Sequence, residues 1–172
     1  MKKFIAFSIF LFAFTVGAFS QATSPATATI IAPIAIANDV VLDFGAIVAG
    51  TAIGTVDIAT DGTRTPGGGC TLHPSDIGSA AEFTVTGQAN FNYSITLPAV
   101  ATTITDGGAN SMTVTNWVSN PAAGNNGVLD GTGEQVLAVG ARLNVGANQV
   151  PGAYSSQNAG GSGPFTVTVN YY

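Results

Sequence analysis

Apolar and polar residues alternate with period two along most of this chain, and helical spacing is hard to find. Phe91, Tyr93, Ile95 and Leu97 alternate with Asn92, Ser94 and Thr96, and Phe165, Val167, Val169 and Tyr171 alternate with Thr166, Thr168 and Asn170. Successive side chains of a strand point to opposite faces, so such stretches bury one face and wet the other. Leu137, Val139, Ala141, Leu143 and Val145 line one face of a further segment, with Arg142 and Asn144 on the other. Ile30, Ala32, Ile34 and Ile36 repeat the pattern, as do the shorter pairs Phe83/Val85, Val56/Ile58 and Met112/Val114. No run of ten residues combines apolar positions at helical spacing with caps.

The spacers carry turn chemistry. Asp61-Gly62, Asp106-Gly107 and Asp130-Gly131 are Asp-Gly pairs, which reach positive φ at low cost. Residues 66–69 and 160–164 read as flexible breaks, and residues 120–127 read as a polar loop. Seven or more short strands at this spacing predict an all-β fold, an immunoglobulin-like antiparallel β-sandwich, with a closed barrel as the alternative. No shift of composition marks a linker, so one domain is expected.

Met1-Lys2-Lys3 followed by an almost wholly apolar stretch to Val16, then Ala18 and Ser20 at small-residue positions, is the pattern of a bacterial secretory signal peptide. The expected division is residues 1–20 as signal and 21–172 as the β-sandwich domain. The apolar run is shorter than the ~20 residues of a membrane span, so the mature chain is expected to have no integral span. Localisation is expected in the periplasm, on the cell surface or outside the cell.

Charge narrows the partners. The chain of 172 residues carries 4 Lys+Arg against 9 Asp+Glu, a net charge of −5. Lys2 and Lys3 lie in the leader, so the remainder keeps Arg64 and Arg142 alone, which are also its trypsin sites. Nucleic-acid binding and docking on anionic lipid both need several clustered cations, and both are excluded as expectations. Cys70 is the single cysteine and closes no intrachain disulfide. It reads as a buried small residue, or as a thiol free or bonded to another chain.

Chemistry-bearing motifs are sparse. His73 is the single histidine, next to Pro74, and no Gly-x-Ser-x-Gly elbow marks a nucleophile. Cys70 and His73 supply two metal-type ligands where a structural zinc site takes four. Asp130-Gly131-Thr132-Gly133-Glu134 reads as a hairpin turn, lacking the further oxygen ligands of a calcium loop. No catalytic residue, cofactor or metal is expected, and the chain is not expected to be an enzyme. Trp117, the single tryptophan, follows a strand whose alternation breaks at Asn116. It is either the core tryptophan of a sandwich or an exposed platform on which a ligand stacks.

Several local patterns together resemble a known family. They are Ala28-Thr29-Ile30, Leu42-Asp43-Phe44-Gly45, Phe83-Thr84-Val85-Thr86-Gly87, Tyr93-Ser94-Ile95-Thr96-Leu97-Pro98, Gly152-Ala153-Tyr154 and the run from Phe165 to Tyr171. Their order and spacing resemble the secreted bacterial domain-of-unknown-function family DUF4402, itself similar to the spore-coat-U and fimbrial-adhesin group of pilin-like β-sandwiches. The chain departs from that pattern at Cys70-Thr71-Leu72-His73 and in a long loop over residues 155–163.

The resemblance implies a secreted, non-enzymatic structural or adhesin-like surface protein, a fimbrial subunit that assembles by strand addition with itself or with other pilin-like subunits. In that mode an extended segment of one chain completes the sheet of another through backbone hydrogen bonds and alternating side chains. Residues 27–37 would be the donor, with Ile30, Ala32, Ile34 and Ile36 entering pockets. Phe165, Val167, Val169 and Tyr171 would border the groove. The alternative for residues 27–37 is the first strand of the chain's own sandwich. The alternative function is a monomeric extracellular module that binds surface glycans or another ligand through Trp117.

Overall fold

The computed structural model describes residues 20–172, so all of the signal-peptide reading except Ser20 lies outside the described residues. The chain divides into two units, residues 1–30 and Ile31–Tyr172. Of the first, residues 20–30 are exposed and carry no regular secondary structure.

The second unit is built of ten strands: β1 (Ala35–Val40), β2 (Ile47–Ile58), β3 (Arg64–Leu72), β4 (Ala81–Thr86), β5 (Asn92–Thr96), β6 (Thr102–Thr105), β7 (Ser111–Asn120), β8 (Gly124–Val128), β9 (Glu134–Val145) and β10 (Thr168–Tyr171). Among the described residues there is no helix, and none therefore long and apolar enough to cross a membrane. Every strand pairing is antiparallel, and the two sheets form a sandwich-like arrangement.

Strand β9 organises the larger sheet. Its residues 134–139 pair with β4 and its residues 141–145 with β2, while β7 pairs across residues 138–144. Since β7 overlaps both, β4 and β2 share one edge of β9 end to end and β7 takes the other. β1 then adds to β4, β3 to β2 and β6 to β7. The smaller sheet runs β10-β5-β8.

The alternation read from the sequence sets the core. Leu137, Val139, Ala141, Leu143 and Val145 of β9 are all buried. The first two face Ala81, Val85, Tyr93, Ile95, Val167 and Val169, which fixes the smaller sheet over β4 and the first half of β9. The last three join Val56, Ile58, Cys70, Val114 and Phe44 in a second cluster. Leu42 and Trp117 pack against both clusters and connect them.

Four segments differ from the expectation. Residues 66–69 are no break; they lie inside β3, with Val56 opposite Pro66, Thr55 opposite Gly67 and Gly54 opposite Gly68. β3 pairs with β2 on one edge alone, and such a strand tolerates a proline without an N–H. Residues 124–127 of the expected polar loop belong to β8, where Gly127 lies opposite Tyr93. Regular strand is also shorter than the alternation at two places: β1 begins at Ala35 and β10 at Thr168.

The long loop over residues 155–163 has a clear structural use. Thr105 and Ser155 exchange backbone hydrogen bonds of 3.0 and 2.9 Å, and Ser162 N–H donates to the Thr103 carbonyl at 3.0 Å. The Thr105 hydroxyl donates to the Ala159 carbonyl at 2.8 Å, and the Asn158 amide returns a bond to the Thr105 carbonyl at 2.7 Å. The loop thereby covers the outer edge of β6, a common protection against edge-to-edge pairing.

Candidate functional site

The two sets of residues singled out for strand addition meet inside one chain. Ile34 and Ile36 are half-buried against the same cluster as Phe165, Val167, Val169 and Tyr171. β1 pairs with its own β4, Ala35 opposite Thr86 and Ile36 opposite Val85. Tyr171 ties the approach to β1 in place. Its hydroxyl accepts from Gln88 N–H at 2.6 Å and donates to the Ala32 carbonyl at 3.1 Å, while Ala32 N–H donates to Gln88 Oε1 at 3.2 Å. The four candidate donor residues therefore divide. Ile34 and Ile36 pack, half-buried, against the chain's own core, whereas Ala32 is exposed and Ile30 is 95% exposed.

β10 pairs with β5 along one edge, and among the described residues no strand is hydrogen-bonded to its other edge. Unlike β6, it is not capped by a loop through backbone hydrogen bonds among the described residues. Buried Val169 of β10 and Val167 just before the strand are flanked by two aromatic contacts, one ahead of the strand and one at its end. Phe83 meets Phe165 edge-on at 6.2 Å, and Phe91 meets Tyr171 edge-on at 5.7 Å.

Trp117 owes its position to a bulge. Thr115 lies opposite Arg142 and Val118 opposite Gly140, so Asn116 and Trp117 together face Ala141. Asn116 takes the left-handed conformation, φ 51°, which asparagine enters more readily than most residues. The extra residue turns Trp117 inward. Its ring lies 4.5 Å from that of Phe165, and its indole N–H is buried without a partner. A shallow cleft of about 570 Å³ opens there, lined by Trp117 itself together with residues 95–101, Thr115, Asn116 and Ala123. Trp117 is half-buried: it packs against both core clusters and also faces this cleft.

The Leu42-Asp43-Phe44-Gly45 motif is a turn held by an arginine. Asp43 Oδ1 accepts from Gly45 N–H at 2.8 Å, and Asp43 exchanges backbone bonds of 2.9 and 2.7 Å with Ser79. Phe44 enters the core, and Gly45 sits at φ 65°, where a β-carbon would strike the Arg64 guanidinium. That guanidinium donates to four backbone carbonyls: Phe44 at 2.8 Å, Ala46 and His73 at 3.3 Å, and Asp76 at 2.6 Å. Arg142 is engaged too, through a forked pair with Asp57, its cross-strand neighbour, at 2.6 and 2.9 Å. Both arginines of the described residues thus serve the fold.

The remaining candidates resolve into local structure. Ser75 Oγ stands 2.7 Å from His73 Nδ1, and the same ring nitrogen accepts from Ser75 N–H at 3.3 Å. This is a turn closed within one exposed loop, and among the described residues no carboxylate bonds the ring's other nitrogen to orient it as a base. Asp130 Oδ1 accepts from Thr132 N–H, Thr132 Oγ1 and Glu134 N–H at 2.8, 2.6 and 3.0 Å. These bonds hold its carboxyl below the usual range, the Thr132 hydroxyl first, and commit the oxygen to the hairpin. No group of three His, Cys, Asp or Glu side chains is placed to hold a metal among the described residues. Cys70 is buried, and burial pushes its thiol up from the ordinary value.

No curated protein and no solved structure matches the chain. A family model does match, the domain of unknown function DUF4402, over residues 34–171. The match begins one residue before β1 and ends at the last residue of β10, so it spans every strand described above. The chain belongs to the DUF4402 family.

Proposed function

We propose that this is a secreted, non-enzymatic surface protein whose immunoglobulin-like, pilin-type sandwich assembles with copies of itself or with similar subunits by strand addition. The observation that carries the reading is the arm ahead of β1: residues 20–30 have no secondary structure, and Ile30 is 95% exposed. Leaving a large aliphatic side chain in water forgoes about 1.5–3 kcal/mol of burial, which a partner's sheet would recover. The open edge of β10 offers the acceptor, with backbone groups for the ladder. The absence of lysine beyond the leader supports the same reading, because edge lysines are a common device for keeping strands apart. The leader and low charge support export to the periplasm, cell surface or medium.

The donor is narrower than residues 27–37, since Ile34 and Ile36 are already committed to the chain's own core. The test compares the parent protein with an Ile30→Asp, Ile31→Asp variant by size-exclusion chromatography with light scattering and by electron microscopy. Filaments or discrete oligomers from the parent, with a folded monomer from the variant, are expected. A parent that stays monomeric at every concentration, or a variant that assembles equally well, overturns the reading.

A further inference from the structure

Tyr93 and Ile95 of β5 and Val169 of β10 point into the core, so the opposite face of the smaller sheet meets solvent. That face carries Asn92, Ser94 and Thr96 from β5, Thr168 and Asn170 from β10, and Asn126 and the half-exposed Val128, opposite Asn92, from β8. Thr168 lies opposite Thr96 and Asn170 opposite Ser94, forming neutral cross-strand pairs. Residues 91–100, 123–129 and 164–172 contain no Asp, Glu, Lys, Arg or His.

One aromatic ring lies on this neutral face. Tyr172 follows the inward Tyr171 and is 64% exposed. Its hydroxyl nevertheless donates to the Asn125 carbonyl of β8 at 3.2 Å. Because β5 lies between β10 and β8, the ring spans the outer side of β5 instead of projecting into water. It therefore presents an exposed ring face bordered by amides and hydroxyls.

We propose that this face binds a neutral β-1,4-linked polysaccharide, with Tyr172 as its stacking platform. A sugar ring with equatorial hydroxyls has flat C–H faces that pack on an aromatic ring, while its hydroxyls exchange hydrogen bonds with Asn, Ser and Thr. Charge disfavours the alternatives: the chain's net charge of −5 repels an anionic polymer, and the side chains of the face offer a charged polymer of either sign no ion-pair partner. The bond to Asn125 fixes the ring before the ligand arrives, which lowers the ordering cost of binding. The open outer surface of the sheet, with strands about 4.8 Å apart, lets an extended chain lie along it without a pocket. This inference goes beyond assembly and does not depend on it.

The test is native electrophoresis of the full-length protein through gels containing hydroxyethylcellulose or glucomannan, with polygalacturonate and blank gels as controls. The parent is expected to be retarded in the neutral gels alone, Tyr172→Ala to abolish the retardation, and Asn170→Asp to weaken it. Equal mobility of all three in the blank gel, corrected for the added charge, and unchanged thermal melting establish that the variants are folded. Retardation that survives Ile30→Asp separates this face from assembly. A parent that runs freely in both neutral gels, a Tyr172→Ala variant as retarded as the parent, or equal retardation by polygalacturonate overturns the proposal.

Discussion

Tyr93 of β5 lays its ring over Gly127 of β8, so closely that a β-carbon on Gly127 would overlap three ring atoms. The tyrosine hydroxyl continues to Gln135 Oε1 at 2.7 Å, and the same oxygen accepts from Val128 N–H at 3.0 Å. Ring, glycine and glutamine together join β8 to β5 and β9. Replacing Gly127 by Ala is expected to destabilise the protein by about 1–3 kcal/mol, the range for overpacking a rigid core. Urea denaturation measures it, and a loss below about 0.5 kcal/mol, the size of an ordinary surface change, contradicts the packing.

The same tyrosine predicts an alkaline limit. Tyr93 is fully buried, and that burial pushes its hydroxyl up to about 12. The folded state thus holds the neutral phenol more firmly than the unfolded chain, whose value is near 10. Its contribution is complete below pH of about 10 and is lost as pH rises toward the folded value. Denaturation curves for the parent and Tyr93→Phe, taken on both sides of this window, should diverge less at high pH than at neutral pH. A constant difference contradicts the assignment.

The two arginines should not cost the same. Arg64 satisfies four carbonyls of two loops, and Arg64→Ala leaves those acceptors to find water, an expected loss of about 2 kcal/mol. Arg64→Lys should not restore it, since an ammonium lacks the planar fork that reaches several acceptors at once. The Arg142–Asp57 pair is 39% and 40% exposed, so solvent screens it and Arg142→Ala should cost clearly less. Thermal melting of the three variants ranks them, and an Arg142→Ala loss equal to that of Arg64→Ala refutes the ordering.

At the acid end, Asp61, Asp106 and Asp130 are held below the ordinary carboxylate range. The leading causes are the Thr63 backbone N–H, the Asn110 side chain and the Thr132 hydroxyl, respectively. The unfolded chain binds protons at these sites first as pH falls, so stability is present above pH of about 4 and declines below it. Asp130→Asn should flatten that decline while lowering stability at neutral pH. Melting temperatures at pH 6 and pH 3, both chosen as roughly straddling the window, provide the comparison.

Cys70 predicts a contrast in reactivity. Its thiol is buried, and desolvation disfavours the reactive thiolate. A chromogenic disulfide reagent should leave the native protein unlabelled and modify it stoichiometrically in denaturant. Rapid labelling of the native protein contradicts the burial.

Much of this architecture was legible because alternation survives wherever one face is buried. β9 follows its pattern from Leu137 to Val145 without a slip, and the break at Asn116 marked the bulge that turns Trp117 inward. What escaped was written in residues that usually break strands. Gly67, Gly68 and Gly69 read as a gap, yet they lie in β3 because β-carbons there would strike Thr55 and the backbone of residues 52 and 53. β8 escaped for the same reason, its glycine being selected by a tyrosine thirty-four positions away (127 − 93 = 34). The pairing of Tyr172 with Asn125 is likewise long-range and leaves no local trace.

The position of β9 also bears on how the sandwich comes into being. Three strands from earlier in the chain, β2, β4 and β7, all pair with this one late segment and not with one another. Until Glu134–Val145 is available, each of them lacks the neighbour that gives it a place in the sheet. Such non-local pairing makes loop closure precede reward and slows folding. A chain cut before Glu134 therefore loses the shared partner of three others, and the larger sheet has no shorter version of itself.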